Sequence, residues 1–371
     1  MIAPRTNTFI TVSGVEIGGR YSINLLRIAG RANPFIAAGL FAVDAAVIGY
    51  NIGNYILEKA VRLCHKIGMD ITAPRFTNVD AAREYLEAQR WPTGPYCPHC
   101  GSTDAKRLEG KAHRAGLIQC NDCREQYTVT VGTVFERSKV PLNKWLLCNH
   151  LLCASKKGMS AKQIERMLGV TYKTAWFMCH RIRAAMDGAA GDGPLGGGNA
   201  VVEADETYVG GKARNRAFRQ PAPKKAVVAL VERDGHVRSF HVANVTGKEL
   251  RGLIVTNVDR ASHLMTDESM VYTRVGREFA GHSAVNHSAS EYVTHGGFKH
   301  SNTVENFFSI FKRGVIGTYH HMSEAHLGRY TAEFDFRYNT RKISDSDRAD
   351  MSLKGITGKR LTYRRVDRLA A

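Results

Sequence analysis

Four cysteines and three acids carry the chemistry legible in this chain. Cys97-Pro-His-Cys100 and Cys120-Asn-Asp-Cys123 form two Cys-x-x-Cys pairs with nineteen residues between them. Each pair folds as a tight turn, and together they supply four thiolates to one tetrahedral zinc. A closed shell of four thiolates leaves no open position, so this zinc is structural. His99 and His113 are the alternative donors. The acids are Asp205, Asp267 and Glu305. Hard divalent ions such as magnesium or manganese take oxygen ligands and keep positions open for water and phosphate. Two such ions in one site serve an in-line displacement at phosphorus. Lys312 follows Glu305 by seven residues, which on a helix stacks it two turns away on the same edge, where phosphate would lie.

The elements that must position these acids are readable from periodicity. His300–Arg313 reads as a helix with Val304, Phe307, Phe308 and Phe311 on one face. Asn302 and Glu305 also have the spacing of a capping box, in which the glutamate reaches back to close the helix start. Metal ligand and helix cap are both open readings of this carboxylate. Upstream, Ala200–Val209 alternates as a strand, with Glu203 and Asp205 on one face and Glu206 on the other. Lys225–Glu232 and Val237–Val245 flank the hairpin signal Asp234-Gly235. Gly247–Val258 reads as a helix, His263–Thr266 as a short strand ending at Asp267, and Glu324–Arg341 as a long final helix. Three strands, a helix, a further strand and then helices describe an α/β layer of the ribonuclease H-like type. In such a layer Asp205 and Asp267 converge beneath the helix that carries Glu305. Glu203, Glu206 and Glu268 are neighbouring acids that this assignment passes over.

Ahead of that layer the chain divides into smaller modules. Residues 76–135 hold the cysteine pairs, and the β-branched stretches Leu117–Gln119 and Gln126–Thr133 predict the short strands of a zinc ribbon. Residues 139–187 read as helix, glycine turn, helix: Leu142–Ala154, then Ser160 capping Ala161–Leu168, Gly169-Val170 as the turn, and Thr171–Met186. This is a helix-turn-helix pattern, with Lys173, Arg181 and Arg183 on its last helix as phosphate contacts. Residues 188–199 are a glycine-rich linker, 200–345 the α/β layer and 346–371 a basic tail. Gly210–Lys225 reads as a mobile basic arm whose Lys212, Arg214 and Arg216 are further DNA contacts.

Charge and cysteine usage narrow the setting. The 52 Lys+Arg against 34 Asp+Glu give a net charge of +18, which points to a polyanionic partner, nucleic acid first and anionic membrane second. Cys64, Cys148, Cys153 and Cys179 lie in apolar helical stretches as buried thiols, a usage that fits a reducing cytoplasm. Residues 1–34 carry no secretory signal. Phe35–Leu57 is the most apolar stretch, but Asp44 near its middle costs roughly 2.5–3.5 kcal/mol on insertion scales, so a membrane span is rejected. Met69 precedes what reads as an ordinary domain start, which makes residues 1–68 an unassigned extension and Met69 a candidate beginning of the working protein.

Several motifs taken in order resemble one known group. They are Cys97-Pro-His-Cys-Gly101, Gly132-Thr-Val-Phe-Glu-Arg137, Lys157-Gly-Met-Ser160, Lys173-Thr-Ala-Trp176 and Asp205-Glu-Thr-Tyr-Val-Gly-Gly211. The run His300 to Tyr330 and Glu333-Phe-Asp-Phe-Arg-Tyr-Asn339 complete the set. From about Phe76 to Arg341 the chain resembles insertion-sequence transposases of the DDE class with an N-terminal zinc ribbon, the ISXO-like family. The resemblance implies a catalytic set of Asp205, Asp267, Glu305 and Lys312, with magnesium or manganese bound by the three acids. It further implies double-stranded DNA as substrate and target, a homo-oligomer on that DNA and residence at the nucleoid. Metal-activated water would free a 3′-hydroxyl that attacks target DNA with no covalent enzyme intermediate. The rival readings are a zinc-ribbon, helix-turn-helix regulator, a domesticated inactive transposase, and a nuclease of the same layer that only hydrolyses.

Overall fold

The structure, a computed structural model, describes residues 71–188, 193–210, 224–285, 298–359 and 361, all within the unit Met69–Ala371. Phe35–Leu57, Cys64, the Met69 start and the arm bearing Lys212, Arg214 and Arg216 lie outside the described residues. Among the described residues no helix is long and apolar enough to cross a membrane.

The first part is small. Helix α1 (Pro74–Thr77) leads into α2 (Val79–Arg90), whose start is fixed by the Asn78 side chain accepting from the Asp80 and Ala81 N–H groups. A three-stranded antiparallel sheet follows, β1 (Ala105–Arg107), β2 (Ile118–Cys120) and β3 (Gln126–Tyr127). Strand β1 is absent from the sequence reading, because Ala-Lys-Arg has no β-branched residue to signal it.

Helices α3 (Leu142–Ala154), α4 (Ala161–Leu168) and α5 (Tyr172–Met186) come next. Ser160 accepts from the Gln163 N–H at the start of α4, and Gly169 ends it in the left-handed conformation at φ 58°. Thr171 then caps α5 through the Thr174 N–H. From Ala175 onward α5 is buried between α3 and a later helix, so only its first turn is exposed. This corrects the assignment of Arg181 and Arg183 as phosphate contacts. Arg181 donates to the carbonyls of Val134 (2.8 Å) and Glu136 (3.0 Å). Arg183 is buried in an ion pair with Glu333 (2.6 Å). Both guanidiniums are committed to holding the fold.

The second part is a five-stranded sheet in the order β6-β5-β4-β7-β8. Its strands are β4 (Val201–Val209), β5 (Lys225–Glu232), β6 (Val237–Val242), β7 (His263–Asp267) and β8 (Gly281–Val285). The first three run antiparallel, while β4, β7 and β8 are parallel. On one face, α6 (Gly247–Asn257) and α7 (Met270–Gly276) pack on Val202, Ala204, Val228, Leu230 and Leu264. On the other, α8 (Asn302–Gly314) and α9 (Glu324–Asn339) cover Val209, Val227, Ala229 and Val231. Alternation along β4 therefore sends its odd-numbered residues toward α8.

Two stretches depart from the sequence reading. The glycine-rich segment is tied to the sheet layer where it is described: Leu195 is buried and exchanges backbone hydrogen bonds with Asn257 and Asp259 (both 2.8 Å). A side chain at Gly196 would come within 2.1 Å of the Ser262 hydroxyl, so glycine there serves close packing. The expected basic tail begins as helix α10 (Asp345–Lys354), which returns to α3 and buries Ala349 and Leu353 in the core of the first part. Asn149 of α3 donates to the Ala349 carbonyl (2.9 Å) and accepts from the Ser352 hydroxyl (2.8 Å).

At the junction of α5 and α9, His180 is buried with neither ring nitrogen hydrogen-bonded. Burial, followed by the positive charges of Arg183, His326 and Arg329, pushes it down to about 2. An unfolded histidine protonates near pH 6.5. Its contribution is therefore fully present above that pH and is lost as pH falls toward 2, by up to about 1.4 kcal/mol per pH unit. His180→Phe retains an aromatic ring against Trp176 and Tyr330, whose ring centres lie 4.2 Å and 5.4 Å from that of His180, and removes the titrating group. Urea unfolding about one pH unit above 6.5 and about one unit below it should show the variant gaining about 1.4 kcal/mol on wild type. An unchanged difference would contradict the assignment.

Candidate active site

Strand register brings two of the acids to one level. Glu203 of β4 pairs in parallel with Met265 of β7. Two residues further along each strand stand Asp205 and Asp267, on the same face of strands about 4.8 Å apart. Asp267 accepts from the Ser269 N–H (3.1 Å), which steadies it at the strand end. Above them, Glu305 projects from α8 and accepts from the Ser301 hydroxyl (3.0 Å). Asp205, Glu305 and Lys312 border one open cavity of about 760 Å³, together with Glu206, Lys157, Arg313 and the turn Ile316–Thr318.

Burial first, and then the charges of Glu206, Asp267 and Glu305, together push the Asp205 carboxyl up to about 7 against the opposing bond from the Glu206 N–H. A buried carboxylate raised by neighbouring acids is a suitable donor for a hard divalent cation, whose charge would favour its ionised form. Glu206 is otherwise engaged: the Tyr272 hydroxyl of α7 donates to it from the far side of the sheet.

The start of α8 decides what Glu305 does. The N-cap position is Ser301, whose side chain makes no capping bond, so Asn302 and Glu305 do not form a capping box. The cap comes instead from Glu203, fully buried on β4. Its carboxylate accepts from the Thr303 N–H (2.9 Å), the Val304 N–H (2.9 Å) and the Thr303 hydroxyl (2.9 Å). Arg233 donates to it as well (2.6 Å), and to the carbonyls of Phe298 (2.8 Å) and His300 (2.7 Å). Burying a carboxylate costs several kcal/mol, but hydrogen bonds to a charged group contribute roughly 1.5–3 kcal/mol each. With four of them the carboxylate is satisfied. Sequence reasoning treated Glu203 as a bystander, although a charged residue in an apolar alternating strand was itself a signal.

Past Lys312 the helix loosens into a π-helical turn, Val315–Tyr319, and His320 takes a positive φ of 57°. Such turns re-aim side chains at functional sites. Tyr319 points inward and donates to Glu333 (2.8 Å), the same carboxylate that pairs with Arg183.

The second constellation closes as the spacing predicts. The sulfurs of Cys97, Cys100, Cys120 and Cys123 all lie within 4.8 Å of one another. Cys97 and Cys123 stand 3.6 Å apart, as do Cys100 and Cys120. A tetrahedral zinc with sulfur at about 2.3 Å sets its sulfurs about 3.8 Å apart, so the cluster fits that ion. His99 and His113 are outside this group. Of the expected DNA contacts, Lys173 lies on the exposed first turn of α5, beside a concave surface of about 390 Å³ that also includes Arg137 and Lys139.

Comparison with known proteins fits this geometry. Residues 194–339 match the ISXO2-like transposase domain, and residues 78–126 match a transposase zinc-ribbon domain. The chain thus carries an ISXO2-like transposase domain preceded by a transposase zinc ribbon. A relative is the "Uncharacterized protein in transposable element ISH50" of Halobacterium salinarum, 27% identical over 281 residues, which span 71% of this chain and 91% of that one. The sheet with Asp205, Asp267 and Glu305 lies inside the transposase-domain match, and all four cysteines lie inside the ribbon match. Helix α3 and the α4–α5 pair lie between the two matches.

Two outcomes follow from these constellations. Glu203→Ala should cost about 3–5 kcal/mol in urea unfolding, because it uncaps α8 and leaves Arg233 without its carboxylate. Glu305→Gln should stay within about 0.5 kcal/mol of wild type. The reverse order would contradict the cap assignment. Metal analysis of the purified transposase should find about one zinc per chain, and Cys120→Ser should release it and unfold the ribbon. Full zinc retention by that variant would contradict a four-thiolate site.

Proposed function

We propose that this transposase cuts the ends of its insertion sequence and joins the freed ends to target DNA by direct transesterification. The observation that supports the reading is the grouping around Asp205: Glu305 and Lys312 border the same cavity, and Asp267 stands at the matching level of the next strand, close enough for its charge to act on Asp205. The sheet order β6-β5-β4-β7-β8, antiparallel on one side of β4 and parallel on the other, agrees with a ribonuclease H-like layer.

Asp205, Asp267 and Glu305 would hold magnesium or manganese, which when bound supplies activation of an attacking oxygen and stabilisation of the leaving one. The chain's own groups orient the DNA. Lys312 lies about 10.5 Å along α8 from Glu305 and contacts a substrate phosphate. Glu203 and Arg233 fix the helix start, so the position of Glu305 does not depend on Glu305 itself. In the first step a water oxygen bonds to phosphorus and the bond to the 3′-oxygen breaks, leaving a 3′-hydroxyl. In the second, that 3′-oxygen bonds to a target phosphorus while the target's own 3′-oxygen departs. Each displacement passes the phosphoryl group between oxygens without a protein adduct.

DNA engagement is assigned to the α4–α5 pair in the manner of a helix-turn-helix, using the exposed first turn of α5. Lys173, Arg137 and Lys139 surround a concavity walled by Trp145 and Phe177, which suits a phosphate backbone beside an apolar surface. The basic arm with Lys212, Arg214 and Arg216 extends the proposed DNA contacts.

The deciding experiment incubates the protein and magnesium with duplex DNA carrying an end of the insertion sequence. Wild type should nick the end and join its 3′-hydroxyl to a second duplex. Asp205→Asn, Asp267→Asn and Glu305→Gln should each still bind DNA and lose several kcal/mol of transition-state stabilisation, on the order of a thousandfold in rate. Binding by wild type with no cleavage would favour a DNA-binding regulator. Cleavage without joining would favour a hydrolytic nuclease.

A further inference from the structure

We propose that Lys157, from the loop between α3 and α4 and outside the transposase-domain match, completes the DNA-cutting site by holding a phosphate beside the one that is cut. The inference rests on the functional reading above. It starts from the cavity, in which Lys157 borders the same space as Asp205, Glu305 and Lys312. Asp205, Glu206 and Glu305 line it together with the positive charges of Lys157, Lys312 and Arg313. Cations gathered over carboxylates suit a polyanion that is gripped at several phosphates and cut at one.

The backbone at Lys157 is held in place, which separates it from an ordinary solvated lysine. Gly158 has a φ of +90°, and a Cβ there would sit 1.9 Å from the Tyr319 hydroxyl. On the opposite side, a Cβ on Gly314 would come within 2.9 Å of the Lys157 carbonyl. The Ser155 hydroxyl donates to the Gly158 carbonyl (2.6 Å). Two close approaches permitted by glycine thus clamp the loop onto the end of α8 and the π-helical turn. Tyr319, at that contact, is anchored in turn to Glu333 and through it to Arg183 of α5. Lys157 itself is exposed and borders the cavity. The loop that leads into the α4–α5 pair therefore places a cation at the cutting site, so DNA held by that pair and DNA presented for cutting share one rigid frame.

The test measures binding of a labelled duplex of mixed sequence to the full chain across a range of salt concentrations, without a cleavage-supporting metal. Each phosphate contact contributes about 0.9 to the slope of log affinity against log salt. Lys157→Ala should lower that slope by about one and weaken binding about tenfold at low salt, whereas Lys157→Arg should retain the wild-type slope. Lys248→Ala, on α6 across the sheet, should also retain it. An unchanged slope in Lys157→Ala, equal losses in Lys157→Ala and Lys248→Ala, or no duplex binding by wild type would each overturn the proposal. A wild type that cuts DNA beside an unchanged Lys157→Ala slope removes this contact alone. A reduced slope in a protein that never cuts DNA keeps the contact and removes the catalytic reading.

Discussion

The candidate site depends on one buried carboxylate. Glu203 receives the first free N–H groups of α8 and the guanidinium of Arg233, so a strand residue from the sheet dictates where the covering helix begins. Helix starts are normally closed by a local side chain. Here the local candidates do something else: Ser301 donates to Glu305, and Glu305 faces the cavity. A cap supplied from two residues before Asp205 links the position of the helix carboxylate to that of the strand carboxylate. It also answers the capping-box alternative, since Glu203 and not Glu305 accepts from the N–H groups at the helix start.

A second buried carboxylate ties the layers together. Glu333 of α9 accepts from Arg183 of α5, from Arg337 and from Tyr319, with the Arg183 guanidinium 4.2 Å from the Tyr330 ring centre. Arg183 and Glu333 are both buried, and removing one member of such a set costs more than the set contributes as a whole. The helical module, the sheet layer and the π-helical turn meet at this point. The return of α10 onto α3 adds a further connection, so the helical module is enclosed by sequence from both ends of the described unit.

Much of this was legible in the sequence because it is local. The cysteine pairs, the α3 and α4 boundaries, the hairpin at Asp234-Gly235 and the apolar face of α8 all follow from spacing and periodicity. What escaped is long-range. Nothing near Arg183 in the sequence announces Glu333, so an arginine on a helix read as a DNA contact when it is a buried ion-pair partner. Glu203 read as a bystander because its donors lie at Arg233 and Thr303. The tail read as merely basic because Ala349, Leu353 and Ile356 are too few to declare a helix until α3 offers them a surface. Strand β8 and helix α7 were missed for a related reason: Gly281–Val285 and Met270–Gly276 are short, and the sheet supplies what their patterns lack.

The central claim is that the three carboxylates act as one cation site. Manganese titration of the zinc-loaded protein, followed by electron paramagnetic resonance, tests it without any need for DNA or turnover. Binding is expected in wild type and is expected to be lost or strongly weakened in each of Asp205→Asn, Asp267→Asn and Glu305→Gln, while Glu206→Gln retains it. Undiminished manganese binding in Glu305→Gln would show that the helix carboxylate is no ligand, and the account of the site would fail at its centre.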